Sequence, residues 1–359
     1  MGDPVKVLFF GVYDPAGSRP RVLVKGLALN GVEVAHCRTT ARRLPFAYLD
    51  LMRRFDDDVD VVLVCTPGQH LVPIARWLVG RQRIPIILDA MYSEYDTYVN
   101  DRRTVRRYSV GALRYYAIDR LSCHLANTVI VDTELDAGYF QRTFGMRPAR
   151  FKRIFVGSDD EVFVPLPKSN DDGTFRVGFV GGFIPLQGVN YIVQAAKILE
   201  READVHFFLV GEGQTYPAAI ELATRLNVRN VTFQPWMAYE SLPAFLKNSD
   251  VCLGIFGDGD KAKRVIPTKA FDALAMAKPL ITGDSPGAKE AGFEDRENAF
   301  LVEMRNPSAI ARAILDAKSN NGLRRHVAEQ GHRLFKQRFT PKIIGATLKA
   351  VLEEVAPRA

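Results

Sequence analysis

The residues best suited to chemistry lie between Arg264 and Glu290, in the segment RVIPTKAFDALAMAKPLITGDSPGAKE. Pro267 suits the first position of a helix, because its missing N–H would be unpaired there and its φ is already helical. Thr268 and Lys269 then fall in the first turn, where backbone N–H groups and the helix dipole attract phosphate. Lysine at this end of a helix is unfavourable unless an anion compensates its charge. The segment therefore predicts an anion site, with an ordinary connecting helix as the alternative.

A glycine pair offers a second group of backbone amides earlier in the chain. The segment FRVGFVGGFIPLQGVNYIV, Phe175–Val193, alternates like a strand and then takes helical spacing from about Gly188. Gly181 and Gly182 fall at the turn between the two patterns, and the amide of Gln187 follows. Such a turn can hold a phosphate, and a tight turn without a ligand is the alternative.

The spacing around Asp272 resembles the signature of glycosyltransferase family 4, whose members are retaining enzymes of the GT-B fold. The usual signature has a glutamate, seven further residues, a second glutamate and then Ala-Met-Ala-x-Gly-x-Pro. Asp272 stands at the second glutamate and Arg264 at the first. The resemblance implies that Asp272 hydrogen-bonds the ribose of a nucleotide sugar. It leaves two roles open for Arg264: the donor is held differently, or the guanidinium binds a phosphate or carboxylate.

The resemblance also implies how a donor site is built. A departing diphosphate needs fixed amides and cations, and the candidate catalytic groups are Arg264, Lys269 and Gln187. Family members usually carry lysine or histidine where Gln187 stands. The acceptor would attack on the face that the diphosphate leaves, and a diphosphate oxygen would take its proton, so neither a metal nor a cofactor is expected. The candidate donor-binding residues are Gly181, Gly182, Pro235, Trp236, Met237, Pro267, Thr268, Asp272 and Glu290.

The first half of the chain carries looser signals. Its loop from Gly11 to Arg19 is not a GxGxxG, and no acidic residue ends the second strand, which disfavours a nicotinamide dehydrogenase. Many family members place a histidine where Met91 stands, so that role is not carried over. Asp89 and Asp132 follow predicted strands, where capping of a loop or helix is the alternative. The candidate acceptor-side residues are Gly17, Arg19, Asp89, Ser93 and Asp132.

Strand and helix patterns alternate along the chain and predict parallel sheets in two doubly wound, Rossmann-like domains. With the resemblance, this is an α/β chain of the GT-B fold with a central cleft. The predicted domains are 1–167 for the acceptor, 168–340 for the nucleotide sugar, and 341–359 as a helix that returns to the first domain. The predicted strands are Val5–Phe10, Val32–Ala35, Val59–Val64, Pro85–Asp89, Val129–Val131, Phe175–Val180, Val205–Val210, Val231–Phe233, Val251–Ile255, Leu280–Thr282 and Ala299–Val302.

Charge and composition narrow the partners. The net charge of +7 is spread over both halves, and no recognised RNA module accompanies it, so nucleic acid is not expected. The Arg102–Arg120 segment combines arginines with tyrosines, and Arg103 and Arg107 are predicted on one helical face. That pattern suits an anionic membrane surface or a phosphate-bearing acceptor, with a solvated basic helix packed through Val105, Leu113 and Ile118 as the alternative. Apolar runs are too short to span a bilayer, and neither histidines nor cysteines have metal spacing.

These observations predict a metal-independent retaining transferase that moves a hexosyl or related sugar from a nucleotide diphosphate to a hydroxyl acceptor. The acceptor would be lipid-linked or a glycan or natural-product intermediate. The expected location is cytoplasmic, with peripheral attachment at the inner face of the membrane as a further expectation. Two alternatives stay open: a GT-B protein that binds a nucleotide sugar without catalysis, and a GT-B epimerase of nucleotide sugars.

Overall fold

A computed structural model describes residues 5–41, 43–80, 84–169 and 172–356. The chain divides into two compact units, Met1–Val156 with Thr340–Ala359 and Gly157–Phe339. Each unit is built on a parallel sheet whose strands are joined through helices. This architecture confirms the predicted α/β class with two doubly wound domains.

The first unit contains a six-stranded parallel sheet among its described residues. Its elements in chain order are β1 (Lys6–Gly11), α1 (Ser18–Leu29), β2 (Glu33–Arg38), α2 (Leu44–Arg54), β3 (Val61–Val64), α3 (Val72–Val79), β4 (Ile86–Asp89), α4 (Val110–Leu125), β5 (Thr128–Val131), α5 (Glu134–Phe144) and β6 (Phe151–Arg153). The strand order is β2-β1-β3-β4-β5-β6. The central strands are short apolar runs such as VVLV in β3, and they are buried along their whole length, as expected for a sheet covered on both faces.

The second unit has its own parallel sheet, with the strand order β12-β11-β10-β7-β8-β9. Its elements are β7 (Phe175–Val180), α6 (Val189–Ile198), β8 (Val205–Val210), α7 (Tyr216–Arg225), β9 (Val231–Gln234), α8 (Leu242–Leu246), β10 (Val251–Leu253), α9 (Asp260–Arg264), α10 (Thr268–Ala275), β11 (Leu280–Gly283), α11 (Pro286–Glu290), β12 (Phe300–Val302), α12 (Pro307–Ser319) and α13 (Asn321–Arg338). Strands β8 and β9 are added on one side of β7, and β10 to β12 on the other, so the order of the strands reverses between the neighbours β7 and β10. The carboxyl ends of strands at such a reversal form the usual ligand crevice of doubly wound sheets.

The last helix, α14 (Pro341–Val355), belongs to the first unit and packs along α1. The two helices approach through glycines. A Cβ on Gly26 would lie 2.2 Å from the carbonyl oxygen of Pro341, and a Cβ on Gly345 would lie 2.0 Å from the carbonyl carbon of Gly26. Backbone contact of this kind requires glycine at both positions. The return of the terminal helix to the first unit was predicted, and it is confirmed.

Each sheet has a separate apolar core. In the first unit the largest buried side chains around the sheet include Phe10, Phe140 and Phe144, and in the second Phe179 and Phe207. The four cysteines are buried and none forms a disulfide. Of the described residues, no helix is both long enough and apolar enough to cross a bilayer. They also contain no group of three His, Cys, Asp or Glu side chains placed to hold a metal ion.

Candidate functional site

The helix that carries Lys269 begins one residue later than predicted. Pro267 is the N-cap of α10 rather than its first residue, because its backbone is extended, with φ −72° and ψ 145°. Its carbonyl oxygen still accepts the first hydrogen bond, from the N–H of Ala270 at 2.9 Å. Thr268 and Lys269 therefore form the start of the first turn, as expected. Because α10 leads into a strand of a parallel sheet, this turn lies at the carboxyl-end edge of the sheet.

The amine of Lys269 is buried, and the described residues place no carboxylate in contact with it. Its Nζ lies 3.5 Å from the centroid of the Phe179 ring. The atom is sequestered from solvent and has no hydrogen-bond partner among the described residues. Burial alone pushes the pKa of this amine well below its usual value of 10.5. A polar group held this way costs folding free energy, so its position calls for a ligand or a functional explanation.

The glycine turn after β7 lies directly against this lysine. Gly181 has φ 153°, and a Cβ there would lie 2.8 Å from Lys269 Nζ, so no other residue fits without displacing the ammonium. Phe179, beneath the same ammonium, is the penultimate residue of β7. The structure therefore brings the glycine pair and the first turn of α10 together, at the reversal point of the second sheet. An anion entering here would meet one cation and the amides of two backbone turns.

Gln187 follows the glycine turn in a short 3₁₀ segment, Pro185–Gln187. The residue is buried, and its Oε1 lacks a hydrogen-bond partner in the described part of the chain. Its backbone carbonyl accepts the N–H of Phe256, and the next amide along, that of Gly257, donates to Leu186 at 3.1 Å. This segment thus rests on the loop that follows β10. The amide side chain is a second unsatisfied polar group in the same part of the unit.

Asp272 has a partner that sequence reasoning missed. Ser158 donates its hydroxyl proton to Asp272 Oδ1 at 2.6 Å, and both residues are buried. Burial raises the pKa of the Asp272 carboxyl to about 7, against the opposing effect of this hydrogen bond. The carboxyl therefore ties the segment after Gly157 to α10. Its predicted contact with a ribose stays a prediction, and the spacing of 114 residues gave no signal of the pair.

The remaining donor-side candidates lie on other elements of the second unit. Arg264 ends α9, and Glu290 ends α11, the helix whose glycine Gly287 packs on the Arg264 backbone. The predicted base-binding segment, Pro235–Met237, follows β9 at the edge of the sheet, and the Trp236 side chain in it is 57% exposed. An exposed indole at a strand end can stack on a base, and this role stays a prediction.

In the first unit, two of the predicted acceptor-side residues, Arg19 and Asp89, bind each other. Gly17 is the N-cap of α1, and Arg19 lies in its first turn. The Arg19 guanidinium donates hydrogen bonds to the Asp89 carboxylate at 2.7–3.0 Å and also donates one to the carbonyl of Ile154. Arg19 and Asp89 are each 2% exposed. The alternative that Asp89 caps its own loop is therefore wrong, since its carboxylate pairs with a residue seventy positions earlier.

Ser93 and Asp132 are buried at the same edge of the first sheet. Ser93 donates its hydroxyl proton to Asp119 Oδ2 at 2.6 Å, and the amides of Tyr95 and Glu94 donate to the same carboxyl. Burial raises the pKa of the Asp119 carboxyl to about 7. Asp119 was absent from the sequence prediction because it lies in the middle of a helix.

The arginine-rich segment differs from its predicted form. Asp96–Asp101 forms a π-helical turn, and residues 102–109 that follow it are irregular, with φ 52° at Arg103. Arg103 and Arg107 therefore do not share a helical face. Leu113, assigned to the packed side in the alternative reading of a solvated helix, is 66% exposed. The helical part of the segment starts at Val110, where Ser109 caps it.

Comparison with known protein families finds a match within the second unit. Residues 174–320 match the family described as glycosyl transferases group 1. The chain is 24% identical over 194 residues to an uncharacterized glycosyltransferase of Methanocaldococcus jannaschii, covering 52% of this chain and 50% of that protein. It is 26% identical over 166 residues to the lipopolysaccharide core biosynthesis glycosyltransferase LpsE of Rhizobium meliloti, covering 46% of each. The chain thus spans about half the length of these relatives, and family 4 is compatible with the match.

Solved structures extend the likeness to the whole fold. HepE of Anabaena, in complex with UDP-glucose, matches with a TM-score of 0.73 at 16% identity, covering 97% of this chain and 99% of that one. Sucrose-phosphate synthase of Thermosynechococcus elongatus matches with a TM-score of 0.74 at 15% identity, covering 99% of each chain. The predicted GT-B fold is therefore confirmed.

Proposed function

We propose that the protein transfers a sugar from a nucleotide diphosphate donor to a hydroxyl acceptor, with retention and without a metal ion. The observation that carries this is the buried Lys269 amine, which lies against Gly181 at the reversal point of a doubly wound sheet and has no hydrogen-bond partner in the described part of the chain. The family match of residues 174–320 supports the reaction class. UDP is the first nucleotide to test, because the structurally similar HepE is in complex with UDP-glucose.

The residues of the second unit suit the charge changes of such a transfer. When the bond between the anomeric carbon and the diphosphate oxygen breaks, negative charge grows on that oxygen. Lys269, in its protonated form, and the amides of the Gly181–Gly182 turn would stabilise it, and burial strengthens their effect. The acceptor oxygen forms the new bond on the same face, and its proton passes to the departing diphosphate. No side-chain base is required in this scheme.

The acceptor is proposed to be lipid-linked or otherwise attached to an anionic surface, with the protein held peripherally at a membrane. This part of the proposal rests on the exposed arginines of segment 102–120 in the first unit. A glycan or natural-product hydroxyl is the other acceptor class. Arg19 and Asp89 form a buried ion pair. They would support the acceptor side of the site by holding the strand ends in place.

Calorimetric titration with UDP, GDP, dTDP and ADP tests the donor site. For the nucleotide that binds, Lys269→Ala should weaken binding by about 1.5–3 kcal/mol, because it removes a charge-assisted contact. The matched control is Lys336→Ala, which removes an exposed lysine of the same unit. Equal affinity of Lys269→Ala and the native chain would contradict the assigned role.

Product analysis separates transfer from the two alternatives. Nucleoside diphosphate release that rises with added acceptor supports transfer. Formation of a new sugar nucleotide without release indicates an epimerase. Tight binding of a sugar nucleotide with no product of either kind indicates a binding protein, an outcome favoured by the uncharged Gln187 at a position where family members usually carry a cation.

A further inference from the structure

Helix α4 has an unusual distribution of side chains. Its buried positions carry small or polar residues, and three of its large apolar residues, Val110, Leu113 and Leu121, face outward. The buried set is Ala112, Asp119, Ser122 and Cys123. The exposed apolar set is Val110, Leu113, Ala117 and Leu121. Spacings of three and four residues place the exposed set along one stripe, so the helix presents an apolar face to solvent.

This apolar stripe is not needed to hold the helix on its unit. Asp119 anchors the inner side of the helix, because its carboxyl accepts the hydroxyl of Ser93 at 2.6 Å and the amide of Tyr95 at 2.8 Å. Tyr116 adds a hydroxyl contact to the carbonyl of Thr143 at 3.1 Å. The exposed fractions of Val110 and Leu113 are 86% and 66%. Their exposure costs hydration free energy that a covering surface would recover.

The exposed charges of the segment that carries the stripe have one sign. Between residues 102 and 125 the basic side chains are arginines and His124, and the single acidic residue, Asp119, is fully buried. The arginines are Arg102, Arg103, Arg106, Arg107, Arg114 and Arg120. Their long side chains can extend beside an inserted apolar row while the guanidinium groups meet phosphates. The surface therefore complements an apolar layer that carries negative headgroups.

An exposed aromatic residue completes the tip of this surface. Tyr108, 91% exposed, precedes the helix, and the Arg107 guanidinium lies 5.4 Å from its ring centroid. Since α4 connects the neighbouring parallel strands β4 and β5, its first turn lies at the carboxyl-end edge of the sheet, the edge at which Asp89 ends β4. The tip and the predicted acceptor-side residues thus share one edge of the first unit.

We propose that this α4 face, formed by Tyr108, Val110, Leu113, Ala117 and Leu121 with the six flanking arginines, docks the protein on an anionic phospholipid membrane. A second copy of the chain fits less well, because a two-fold contact would set one row of arginines against its equivalent. The helix would lie in the plane of the headgroups, with its first turn deepest. The docking itself does not depend on the proposed function. Its consequence does rest on that function: a membrane-bound acceptor would reach the first unit at this edge.

Vesicle flotation without donor or acceptor tests the docking independently of catalysis. The native chain should float with vesicles of phosphatidylcholine mixed with phosphatidylglycerol and stay at the bottom with phosphatidylcholine alone. Replacing Arg106, Arg107 and Arg114 by glutamine should lower the partition coefficient about fivefold for each arginine removed. The matched control replaces Arg201, Arg225 and Arg229, exposed arginines of the second unit, by glutamine and should bind as the native chain does.

The apolar part of the face needs its own variants. Val110→Ser with Leu113→Ser should lower the partition coefficient by roughly tenfold, because less apolar surface enters the bilayer. Leu29→Ser with Ile198→Ser, which alters two other exposed apolar residues, should leave it unchanged. If the serine variant at α4 does not fold, the glutamine variant still decides the question, since its changes are confined to exposed side chains.

Three results would overturn the inference: flotation with neither vesicle type, equal flotation with both, or equal loss in the α4 and control variants. A dimer in solution that Leu113→Ser dissociates, without lipid binding, would assign the face to a second copy instead. Loss of donor turnover in a variant that still floats concerns the proposed transferase reaction and not the docking.

Discussion

Two buried cations occupy the same helical position in the two units and have opposite surroundings. Arg19 is the second residue of α1, and Lys269 is the second residue of α10. Both helices are capped by a residue with extended backbone, Gly17 and Pro267. Arg19 is paired with Asp89, whereas the Lys269 ammonium has no hydrogen-bond partner in the described structure. Arg19 is therefore held by a partner within the fold, and under the proposed function Lys269 would find its partner in the bound ligand.

The two pKa values show the same contrast. Burial opposes the charge of Arg19, but the nearby Asp89 carboxylate and its hydrogen bonds outweigh burial, and the pKa of the guanidinium rises above its usual value. For Lys269 burial acts without an opposing carboxylate, and the pKa falls well below 10.5. A buried charge that folding leaves unpaired is a typical feature of a site where binding supplies the missing partner.

The largest expected effect comes from breaking the pair of the first unit. Asp89→Ala should lower the free energy of unfolding by about 3–5 kcal/mol, because the buried Arg19 guanidinium loses its ion-pair partner and keeps the Ile154 carbonyl as its hydrogen-bond acceptor among the described residues. Urea unfolding followed by circular dichroism gives the value. The double change Arg19→Met with Asp89→Leu should recover most of the loss, since it removes both charges of the pair together.

A surface pair provides the control for this measurement. Arg54 and Asp50 form an ion pair at 2.8 Å on α2, where the arginine side chain is 61% exposed. Asp50→Ala should change the free energy of unfolding far less than Asp89→Ala does, because solvent screens an exposed ion pair. A similar small cost for Asp89→Ala would mean that the Arg19 pair is not structural, and the contrast between the two cations would disappear.

The second cation should behave in the opposite sense. Lys269→Met should raise the free energy of unfolding by about 1–2 kcal/mol near neutral pH, because it removes an unpaired buried amine and keeps its apolar stem. The sign follows from the lowered pKa: below pH 10.5 the unfolded chain holds a proton that the native amine releases, so the native state is penalised. The gain should shrink as the pH rises toward 10.5.

Thermal and urea unfolding across this pH range check the prediction, with the exposed Lys342→Met as the control. The same variant should bind the preferred nucleoside diphosphate more weakly, so stability and affinity move in opposite directions. Destabilisation by Lys269→Met would show that the lysine has a structural partner, like Arg19.

The sequence predicted the sheets well because their strands are continuous apolar runs. The strand missed in the prediction is β6, a three-residue edge strand that pairs with β5. Two of its residues, Lys152 and Arg153, are charged, so it lacks the apolar pattern by which strands were predicted. Propensity gives little signal for such a strand, since main-chain hydrogen bonds alone define it. The α4 segment shows a different limit: its apolar residues suggested an inner face, yet a buried carboxyl, Asp119, sets the orientation of the helix.

The candidate site was predicted in its local parts and missed in its long-range pairs. The approach of Gly181 and Lys269 followed from the reversal of a doubly wound sheet, which local patterns define. The pairing of Arg19 with Asp89 depends on two turns that only the folded first sheet brings together. Residue types alone did not distinguish a cation with a partner from a cation without one, because that difference arises from tertiary contacts.

Asp272 provides the test with the smallest expected effect in the comparison of Arg19 with Lys269. It is a buried carboxyl group whose partner is a neutral hydroxyl. Its folded pKa of about 7 lies above the usual 3.8, so the native state holds a proton that the unfolded chain releases between these values. The contribution of Asp272 to stability is therefore full below pH 3.8 and is lost as the pH rises through about 7. Ser158→Ala removes the hydroxyl that favours the ionised form, and its cost should be about 1 kcal/mol greater at pH 8 than at pH 5.

Urea unfolding of Ser158→Ala at both pH values measures this difference. Asp272→Asn should abolish it, because an amide in place of the carboxyl does not titrate, and Ser319→Ala, which alters an exposed serine of α12, should show none. A cost that is the same at pH 5 and pH 8 would mean that the carboxyl keeps one protonation state throughout. Asp272, like Arg19, would then be a charged group whose partner lies within the fold. Of these three residues, Lys269 would be the one whose partner is expected to be a ligand.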